Sequence, residues 1–329
     1  MKILVVGGAG YIGSHVCKAL RQQGAEVTVF DNLSSGLRGN VQRGVVFRHG
    51  DILNVQALDE VCAGANFDGA IHLAALKAAG ESMLIPEKYS VNNIIGTLNL
   101  LNALVKHGVK NLVFSSTAAV YGDPEYIPMD EKHPTKPVNY YGYTKLAIEG
   151  YLEWYCNLKG LRYAALRYFN AAGYDIEGEL CGLEQNPANL VPVIMEVAMG
   201  WRKKIQIFGA DYDTPDGTGV RDYIHVSDLA SAHLKALDKL LGGTEKLMVN
   251  LGTGEGISVL EMVQKTMEIS ERPVAYEVVG RRVGDPPIVV ASAGLAETML
   301  GWRARYSDAH TLLSTTWKAY LANNLERKN

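Results

Sequence analysis

The sequence contains few cysteines and no long apolar run, and both shortages exclude classes of protein. Its cysteines, Cys17, Cys62, Cys156 and Cys181, are scattered over 329 residues without CxxC spacing, which argues against a disulfide framework or a zinc site. No stretch approaches the ~20 consecutive apolar residues of a membrane-spanning helix, and the start MKILVVGGAG lacks the basic and apolar segments of a signal peptide. We therefore expect a cytoplasmic protein with no metal and no membrane contact.

A strong net charge is missing as well. The formal charge of −3 provides no global field that would attract nucleic acid, so an anionic ligand has to be held by a local group of arginines or lysines. Hydrophobic residues make up 47% of the chain and charged residues 20%, which is the profile of a folded globular protein. We expect small molecules, and not nucleic acids, as partners.

Short β-branched runs alternate with longer amphipathic segments in the first half of the chain. This rhythm is typical of parallel strands joined by helices. The strand candidates are KILVV at 2–6, EVTVF at 26–30, VVFRH at 45–49, DGAIHL at 68–73, NLVFSS at 111–116 and RYAALRYF at 162–169. We predict an α/β fold: a Rossmann-type doubly wound parallel sheet over 1–170, to which the chain returns around 220–256. Beyond Asn170, Gly- and Pro-rich stretches predict a smaller C-terminal α/β substrate-binding lobe over 171–329.

A glycine-rich loop, VVGGAGYIGSH, follows the first predicted strand. Gly7, Gly10 and Gly13 have GxxGxxG spacing, and residues without Cβ allow a tight turn that brings a pyrophosphate to the N-terminus of the next helix. Asp31, at the end of the second strand, can accept hydrogen bonds from the adenosine ribose and repel a 2′-phosphate. The loop therefore predicts NAD as the cofactor, and two residues after the third strand are expected to bracket its adenine, Asp51 by hydrogen bonding and Ile52 by packing.

The stretch NYYGYTKL at 139–146 contains a tyrosine and a lysine at a catalytic spacing. In a helix, Tyr141 and Lys145 project from the same face. A phenol has a pKa near ~10, so Tyr141 can act as a base near neutral pH only with help from positive charge, which Lys145 and an oxidised nicotinamide would supply. Ser116 and Thr117 add hydroxyls at the carboxyl edge of the sheet, where ligands bind in this architecture. We predict that Tyr141 is the acid/base.

Two segments are apolar on more than one face. They are residues 87–108 and the helix predicted through Tyr151, Trp154 and Tyr155, whereas an ordinary surface helix has a single apolar stripe. Either both segments are buried within one chain, or their outer faces meet the same helices of a second subunit. We predict a homodimer.

Segments along almost the whole chain carry a family resemblance. In order they are GGAGYIGSH, DNLSSG, HLAALKAAGES, SVNNIIGTLNLL, FSSTAAVYG, YYGYTKL, RYFNAAG, IFGADYDTPDGTGVRDYIHVSDLA and RRVGDP. The chain resembles the extended short-chain dehydrogenase/reductase family and, within it, the UDP-sugar 4-epimerases. The resemblance implies an NAD-dependent isomerase of UDP-glucose and UDP-galactose. Tyr141 would take the proton of the sugar 4-hydroxyl while hydride passes from carbon 4 to tightly held NAD, and the 4-keto sugar would then turn over and take hydride back on its other face.

The resemblance also implies roles for individual residues. Thr117 joins Tyr141 and Lys145 as a catalytic residue; the family often has serine at this position, so the hydroxyl is retained and a methyl is added. Further cofactor-binding residues are Tyr11, Ile12, Asn32, Leu73, Ala74, Ala75, Lys77, Asn92, Ser115 and Tyr168, besides Gly7, Gly10, Gly13, Asp31, Asp51, Ile52, Tyr141 and Lys145. Substrate-binding residues are Thr117, Tyr141, Asn170, Asn189, Leu190, Phe208, Arg221, Tyr223, Arg282, Asp285 and Val289.

The implied substrate site holds the nucleotide firmly and the sugar loosely. Arg221, Arg282 and Asp285 are expected at the nucleotide end, since guanidinium groups bind the oxyanions of a diphosphate in pairs, and Phe208 is expected by the uracil. Val289 stands where some glucose-restricted members have a bulky tyrosine. A small wall there predicts activity on UDP-GlcNAc and UDP-GalNAc as well.

Other functions stay open beside this one. Epimerases of UDP-uronic acids or UDP-pentoses differ from it by few pocket residues. A non-catalytic NAD-sensing protein would be expected to lose Tyr141 or Lys145, and both are present. Nucleotide-sugar 4,6-dehydratases are excluded, because they carry an acidic residue just after the fifth strand, where this chain has Ala118 and Ala119.

Overall fold

The chain forms a large parallel sheet and a smaller second lobe in a computed structural model that describes residues 1–184, 187–282 and 285–327. The strands are Lys2–Val6 (β1), Glu26–Asp31 (β2), Val46–His49 (β3), Gly69–His72 (β4), Asn111–Thr117 (β5), Arg162–Tyr168 (β6), Asn170–Ala172 (β7), Ile205–Phe208 (β8), Val220–Arg221 (β9), Tyr223–His225 (β10), Lys246–Leu251 (β11), Ile257–Ser258 (β12), Tyr276–Val279 (β13) and Ile288–Val289 (β14).

Helices connect most of these strands. They are Tyr11–Gln22 (α1), Val55–Cys62 (α2), Ala79–Leu84 (α3), Pro86–Tyr89 (α4), Gly96–Lys106 (α5), Tyr140–Lys159 (α6), Leu190–Ala198 (α7), Val226–Leu241 (α8), Val259–Ser270 (α9), Gly294–Leu300 (α10) and Ala309–Arg327 (α11), with a π-helical turn at Ser90–Ile95 and 3₁₀ turns at Arg38–Asn40 and Ala118–Val120.

The large sheet has seven strands in the spatial order β11-β6-β5-β4-β1-β2-β3, and all neighbours run parallel. The predicted doubly wound α/β fold is confirmed. The chain returns to this sheet with α8 and β11, inside the range 220–256. Because β1 pairs with both β2 and β4, the strand order reverses at β1, and a crevice for ligands opens at the carboxyl ends of β1 and β4.

The central strands β1 and β4 are almost entirely buried because helices cover both faces of the sheet. In β1, Ile3 and Val5 belong to one core, which includes residues of α1 and α8. Leu4 and Val6 belong to the other, which includes residues of α5 and α6. All four side chains are fully buried. The helix that carries the predicted Tyr–Lys pair is thereby packed against one face of the sheet.

The second lobe is built from short strands and three helices beyond β6. Strand β7 pairs with β10, β8 with β13, and β9 with both β12 and β14. Its core is formed largely by α7, α9 and α11, with Ile194, Met262 and Leu312 fully buried. This lobe follows directly on β6, so its first residues start at the carboxyl edge of the large sheet, where the crevice opens.

Candidate active site

Helix α6 holds the predicted acid/base beside the end of β5. The side chain of Asn139 caps the helix by accepting a hydrogen bond from the backbone N–H of Gly142 at 2.8 Å, which satisfies a free donor of the first turn. A Cβ on Gly142 would lie 2.4 Å from the carbonyl oxygen of Ala119. The glycine therefore allows the first turn of α6 to lie against the segment after β5, which brings Tyr141 to Thr117.

The phenol of Tyr141 is hydrogen-bonded to the hydroxyl of Thr117. Burial raises the pKa of Tyr141 to about 12, and this hydrogen bond only partly opposes the effect. In the protein alone the pKa of Tyr141 is therefore raised, whereas the sequence predicts a net lowering by nearby positive charge. The physical reason is that desolvation of a phenolate outweighs a charge one helical turn away, when that charge is itself buried.

Lys145 lies one turn further along α6 and is 2% exposed. Its Nζ donates a hydrogen bond to the backbone carbonyl of Ser115 at 2.7 Å and lies 4.8 Å from the ring centroid of Phe114. Burial lowers the pKa of Lys145 to about 7, and the negative charge of Glu149 opposes that effect. The ammonium thus titrates near neutral pH, so its charge depends on its surroundings.

The glycine loop fits a dinucleotide. Gly7 has φ +85°, and a Cβ there would lie 2.6 Å from the backbone nitrogen of Ala74, so the loop passes close to the end of β4. Helix α1 begins after Gly10 with no side-chain cap and no acidic residue in its first turn, which leaves its N–H groups available to an anion. Predicted cofactor residues that line the pocket at this loop are Gly7, Gly10, Asp31, Asn32, Ile52, Leu73, Ala74, Ala75 and Asn92.

Other predicted cofactor residues have structural contacts around that loop. The phenol of Tyr11 donates to the carbonyl of Gly173, which ties α1 to the second lobe. Ile12 packs against one core of the sheet, and a Cβ on Gly13 would lie 2.2 Å from the carbonyl oxygen of Gly7. These contacts fix the angle at which α1 leaves the loop.

The carboxylates predicted at the adenosine end also organise the local backbone. Asp31 accepts hydrogen bonds from the N–H groups of Ala9 at 2.9 Å and Leu33 at 2.8 Å. Asp51 accepts a hydrogen bond from the side chain of Asn32 at 2.8 Å. Each carboxylate oxygen has a second lone pair, so these bonds leave acceptors for ribose hydroxyls.

Lys77 does not point into the pocket at the glycine loop. Its ammonium forms an ion pair with Glu184, a residue of the second lobe that sequence reasoning missed. The loop that carries Lys77 is held by Asn93, whose amide exchanges hydrogen bonds with the backbone of Leu76 at 2.9 and 3.0 Å. Asn93 was also missed, because nothing in a sequence distinguishes it from its neighbour Asn92.

Ser115 and Tyr168 meet at the carboxyl ends of β5 and β6. Their hydroxyls are hydrogen-bonded to each other. Burial raises the pKa of Tyr168, and the nearby phenol of Tyr141 raises it further. The phenols of Tyr141 and Tyr168 and the hydroxyls of Ser115 and Thr117 therefore lie together where the two strands end.

A cavity of about 560 Å³ opens in the second lobe, within the ~300–1,000 Å³ typical of small-molecule sites. The predicted substrate residues that line it are Asn170, Asn189, Leu190, Phe208, Arg221, Tyr223, Arg282 and Asp285. Among the described residues of the predicted substrate set, Thr117, Tyr141 and Val289 do not line this cavity. The first two lie at the carboxyl end of β5, so the cavity and the Tyr–Lys pair are separate features of the chain.

The cavity has a cationic wall. Arg221 forms an ion pair with Asp285 and donates to its own strand's carbonyl at Val220 at 2.7 Å. The guanidinium of Arg282 lies 4.2 Å from the ring centroid of Phe208. Both arginines are therefore held by neighbours on the wall, a geometry suited to a diphosphate next to an aromatic base.

Val289 lies on β14, opposite Arg221 in the pairing with β9. Its half-buried side chain packs against a small cluster that includes Tyr121 and Phe169. It therefore lies beside β9 and against residues that follow β5, and it does not line the cavity.

In the described part of the chain, no group of three or more His, Cys, Asp or Glu side chains has the arrangement of a metal site. Over the same residues, no helix is both long and apolar enough to span a bilayer.

Known proteins resemble this chain over nearly its full length. The family model described as the NAD dependent epimerase/dehydratase family matches residues 3–252. The UDP-glucose 4-epimerase of Halalkalibacterium halodurans is 46% identical over 318 residues, which are 96% of this chain and 95% of that protein. The crystal structure of UDP-glucose 4-epimerase from Brucella ovis in complex with NAD has 44% identity and a TM-score of 0.95, and the match covers 97% of this chain and 98% of that one.

A more distant solved structure is also informative. The UDP-Glc/GlcNAc 4-epimerase from Campylobacter jejuni has 36% identity and a TM-score of 0.86, with 98% of this chain and 99% of that chain covered.

The buried Lys145 predicts a specific dependence of stability on pH. Its pKa in the folded protein is about 7, below the ~10.4 of an unfolded lysine, so between these values the unfolded chain binds a proton that the folded chain does not. The free energy of unfolding should therefore rise with pH, by at most about 1.4 kcal/mol for each unit. Lys145→Met should lack this rise. Urea unfolding of both proteins at pH 7, 8 and 9 measures the difference. If the free energy of unfolding rises equally with pH in both proteins, the lowered pKa of Lys145 is refuted.

Proposed function

This chain belongs to the NAD dependent epimerase/dehydratase family, and we propose that it is a UDP-glucose 4-epimerase, an isomerase that interconverts UDP-glucose and UDP-galactose with NAD as its cofactor. The observation that supports the proposal is the convergence of Tyr141, Thr117 and Lys145 at the carboxyl end of β5, in a chain that also has the glycine loop and an arginine-lined cavity. A hydroxyl substrate that spans the crevice would meet a proton acceptor there.

In this proposal Tyr141 moves the proton of the sugar 4-hydroxyl. The hydrogen bond between Tyr141 and Thr117 holds the phenol oxygen in place, and the Thr117 hydroxyl also reaches the sugar. The ammonium of Lys145 favours the phenolate when it is charged. NAD, when bound, would accept the hydride of carbon 4 and return it to the other face of the 4-keto sugar, so there is no net oxidation.

Several groups would hold the cofactor. The glycine loop and the free N–H groups at the start of α1 suit its pyrophosphate, and the carboxylates of Asp31 and Asp51 suit the adenosine end. Lys77 would have to leave Glu184 to reach the cofactor. We propose residues 1–170 together with 220–256 as the cofactor-binding domain and the rest of 171–329 as the UDP-sugar-binding lobe.

The nucleotide would be bound tightly and the hexose loosely. Arg221 and Arg282 lie on the cavity wall with Phe208, so the diphosphate and uracil provide binding energy far from carbon 4. A sugar held only weakly can then turn between the two hydride transfers. This division explains why the cationic cavity and the Tyr–Lys pair are separate.

The test of this function is Tyr141→Phe. The variant should retain NAD through purification yet lose turnover of UDP-glucose by about 10²- to 10⁴-fold, because proton transfer alone is removed. The matched control is Tyr143→Phe, which removes an exposed phenol from the same helix and should leave turnover unchanged. Turnover at the parental rate in Tyr141→Phe would reject the assigned acid/base.

We propose that the chain also converts UDP-GlcNAc and UDP-GalNAc. Val289 provides a small side chain beside β9, and a relative of known structure, from Campylobacter jejuni, is a UDP-Glc/GlcNAc 4-epimerase. A tyrosine at this position would extend from β14 into the space that an N-acetyl group needs.

A comparison of two substrates checks this breadth. The parent should convert both UDP-glucose and UDP-GlcNAc, and Val289→Tyr should lose at least tenfold more activity on UDP-GlcNAc than on UDP-glucose, since an added ring excludes the bulkier sugar by about 1.4 kcal/mol or more. Ile288→Tyr is the control, because adjacent strand residues point to opposite faces. A parent that turns over only UDP-glucose would contradict the proposal.

We also propose that two chains associate through α5, α6 and the turn that precedes α5. Trp154 and Leu158 on α6 are 63% and 68% exposed, and Val91 and Ile95 in the turn are about half exposed. The two helices are held together by a hydrogen bond of 2.7 Å from Tyr155 to Asn102, so their outer faces form one surface. An apolar surface of this kind is typical of an interface.

We propose a cytoplasmic location as well. The thiols of Cys17, Cys62 and Cys156 form no disulfide, which supports this location, and cell fractionation would check it.

Sedimentation tests the dimer. The parent should sediment at twice the mass of one chain, and Leu158→Glu should shift it toward the monomer because a carboxylate would be buried at the interface. Leu321→Glu, which changes an exposed leucine on α11, should leave the mass unchanged. A parental protein that sediments as a monomer at micromolar concentration would refute the proposal.

A further inference from the structure

Glu149 continues the row of functional side chains on α6. It lies four residues after Lys145, as Lys145 lies four residues after Tyr141, so the three project from one face of the helix. Glu149 is 4% exposed, and a carboxylate is rarely found in such a position without partners. Nothing in the mechanism proposed above uses this residue.

The carboxylate of Glu149 is held in a fixed position. Arg167 on β6 donates from Nε to Oε1 at 2.9 Å and from Nη2 to Oε2 at 2.5 Å, which is a two-pronged ion pair. The hydroxyl of Ser116 donates to Oε1 at 2.6 Å. Arg167 is fixed in turn by the phenol of Tyr121 at 3.1 Å.

Charged and titratable groups face Lys145 from several elements. Burial, together with the positive charge of Lys145, lowers the pKa of His72 on β4 to about 3, so this imidazole stays neutral. Tyr141 on α6 and Tyr168 on β6 are phenols whose pKa values are raised by burial. Glu149 is thus the anion in this set, and its charge opposes the effect of burial on Lys145.

We propose that Glu149 is a positioning residue whose buried negative charge keeps Lys145 in its ammonium form, so that the functional row on α6 is Tyr141, Lys145 and Glu149. Ser116 and Arg167 hold the carboxylate where it acts on Lys145. The inference rests on the proposed roles of Tyr141 and Lys145. Glu149 itself would touch neither the cofactor nor the sugar, and it would act through Lys145.

The test is a titration of Lys145 that does not depend on turnover. The NAD-loaded enzyme is labelled with ¹³Cε-lysine, its carbon signals are followed by NMR against pH, and Lys145→Arg identifies the signal of Lys145. In Glu149→Gln the midpoint should move down by about one pH unit, since removal of a nearby opposite charge disfavours the ammonium. The alkaline limb of the kcat profile should move down with it.

Two further variants separate charge from structure. Glu153→Gln removes the next carboxylate along α6, which bonds Lys246 and Tyr163 at 2.8 Å each, and should leave the Lys145 midpoint in place. Arg167→Gln removes the positive charge of the Glu149–Arg167 pair, so the Lys145 midpoint in this variant should not fall. A Glu149→Gln midpoint that does not fall, or one that falls equally in Arg167→Gln or Glu153→Gln, overturns the proposal.

Glu149→Gln leaves the buried guanidinium of Arg167 without its partner, which strongly destabilises a fold. If that variant does not fold, the double variant Glu149→Gln/Arg167→Gln is titrated instead, because it leaves no unpaired charge of this ion pair. The midpoint of Lys145 in the double variant must lie below that in Arg167→Gln, and equal midpoints in these two variants reject the role of Glu149. Failure of the proposed function would be seen separately, as parental turnover in Tyr141→Phe.

Discussion

The burial of the Lys145 ammonium is the constraint on which the rest of the site depends. A cation out of water needs acceptors, and the carbonyl of Ser115 and the ring of Phe114 supply them from β5. The helix must therefore lie at one angle and one height on that strand. Gly142 permits this approach at the first turn, and the same placement brings Tyr141 to Thr117.

In the proposed function, binding and chemistry are divided between the two lobes. Arg221 and Arg282 are fixed on the cavity wall by Asp285 and Phe208, so little ordering of these side chains would be required for them to bind a diphosphate. The Tyr–Lys pair lies instead on α6, beside the carboxyl end of β5. A substrate anchored at its nucleotide end can present either face of its sugar to one fixed phenol, which is what inversion at a single carbon requires.

The sequence was most informative where structure is local. Buried parallel strands have apolar sequences, so the predicted ends of the strands of the large sheet up to β6 agree with the structure within one residue. The NAD prediction is confirmed by the match to the NAD dependent epimerase/dehydratase family. The predicted direction of the Tyr141 pKa shift differs from that in the protein alone, because desolvation depends on every element packed around the phenol. The pairing of Lys77 with Glu184 joins residues 107 positions apart, and no spacing rule connects them. Glu149 was missed for the same reason, since its partners lie on β5 and β6.

Burial raises the pKa of Tyr141 and lowers the pKa of Lys145. In both residues it favours the uncharged form. A phenol with a pKa of about 12 is ionised in only about one molecule in 10⁵ at pH 7. The protein alone therefore holds no ready base, and each unit by which positive charge lowers that pKa raises the phenolate fraction tenfold. Lys145 supplies such charge only while it is protonated, and its own pKa lies at about 7. Whatever keeps that lysine protonated therefore changes the amount of base directly, even when it lies behind the lysine and out of reach of any substrate.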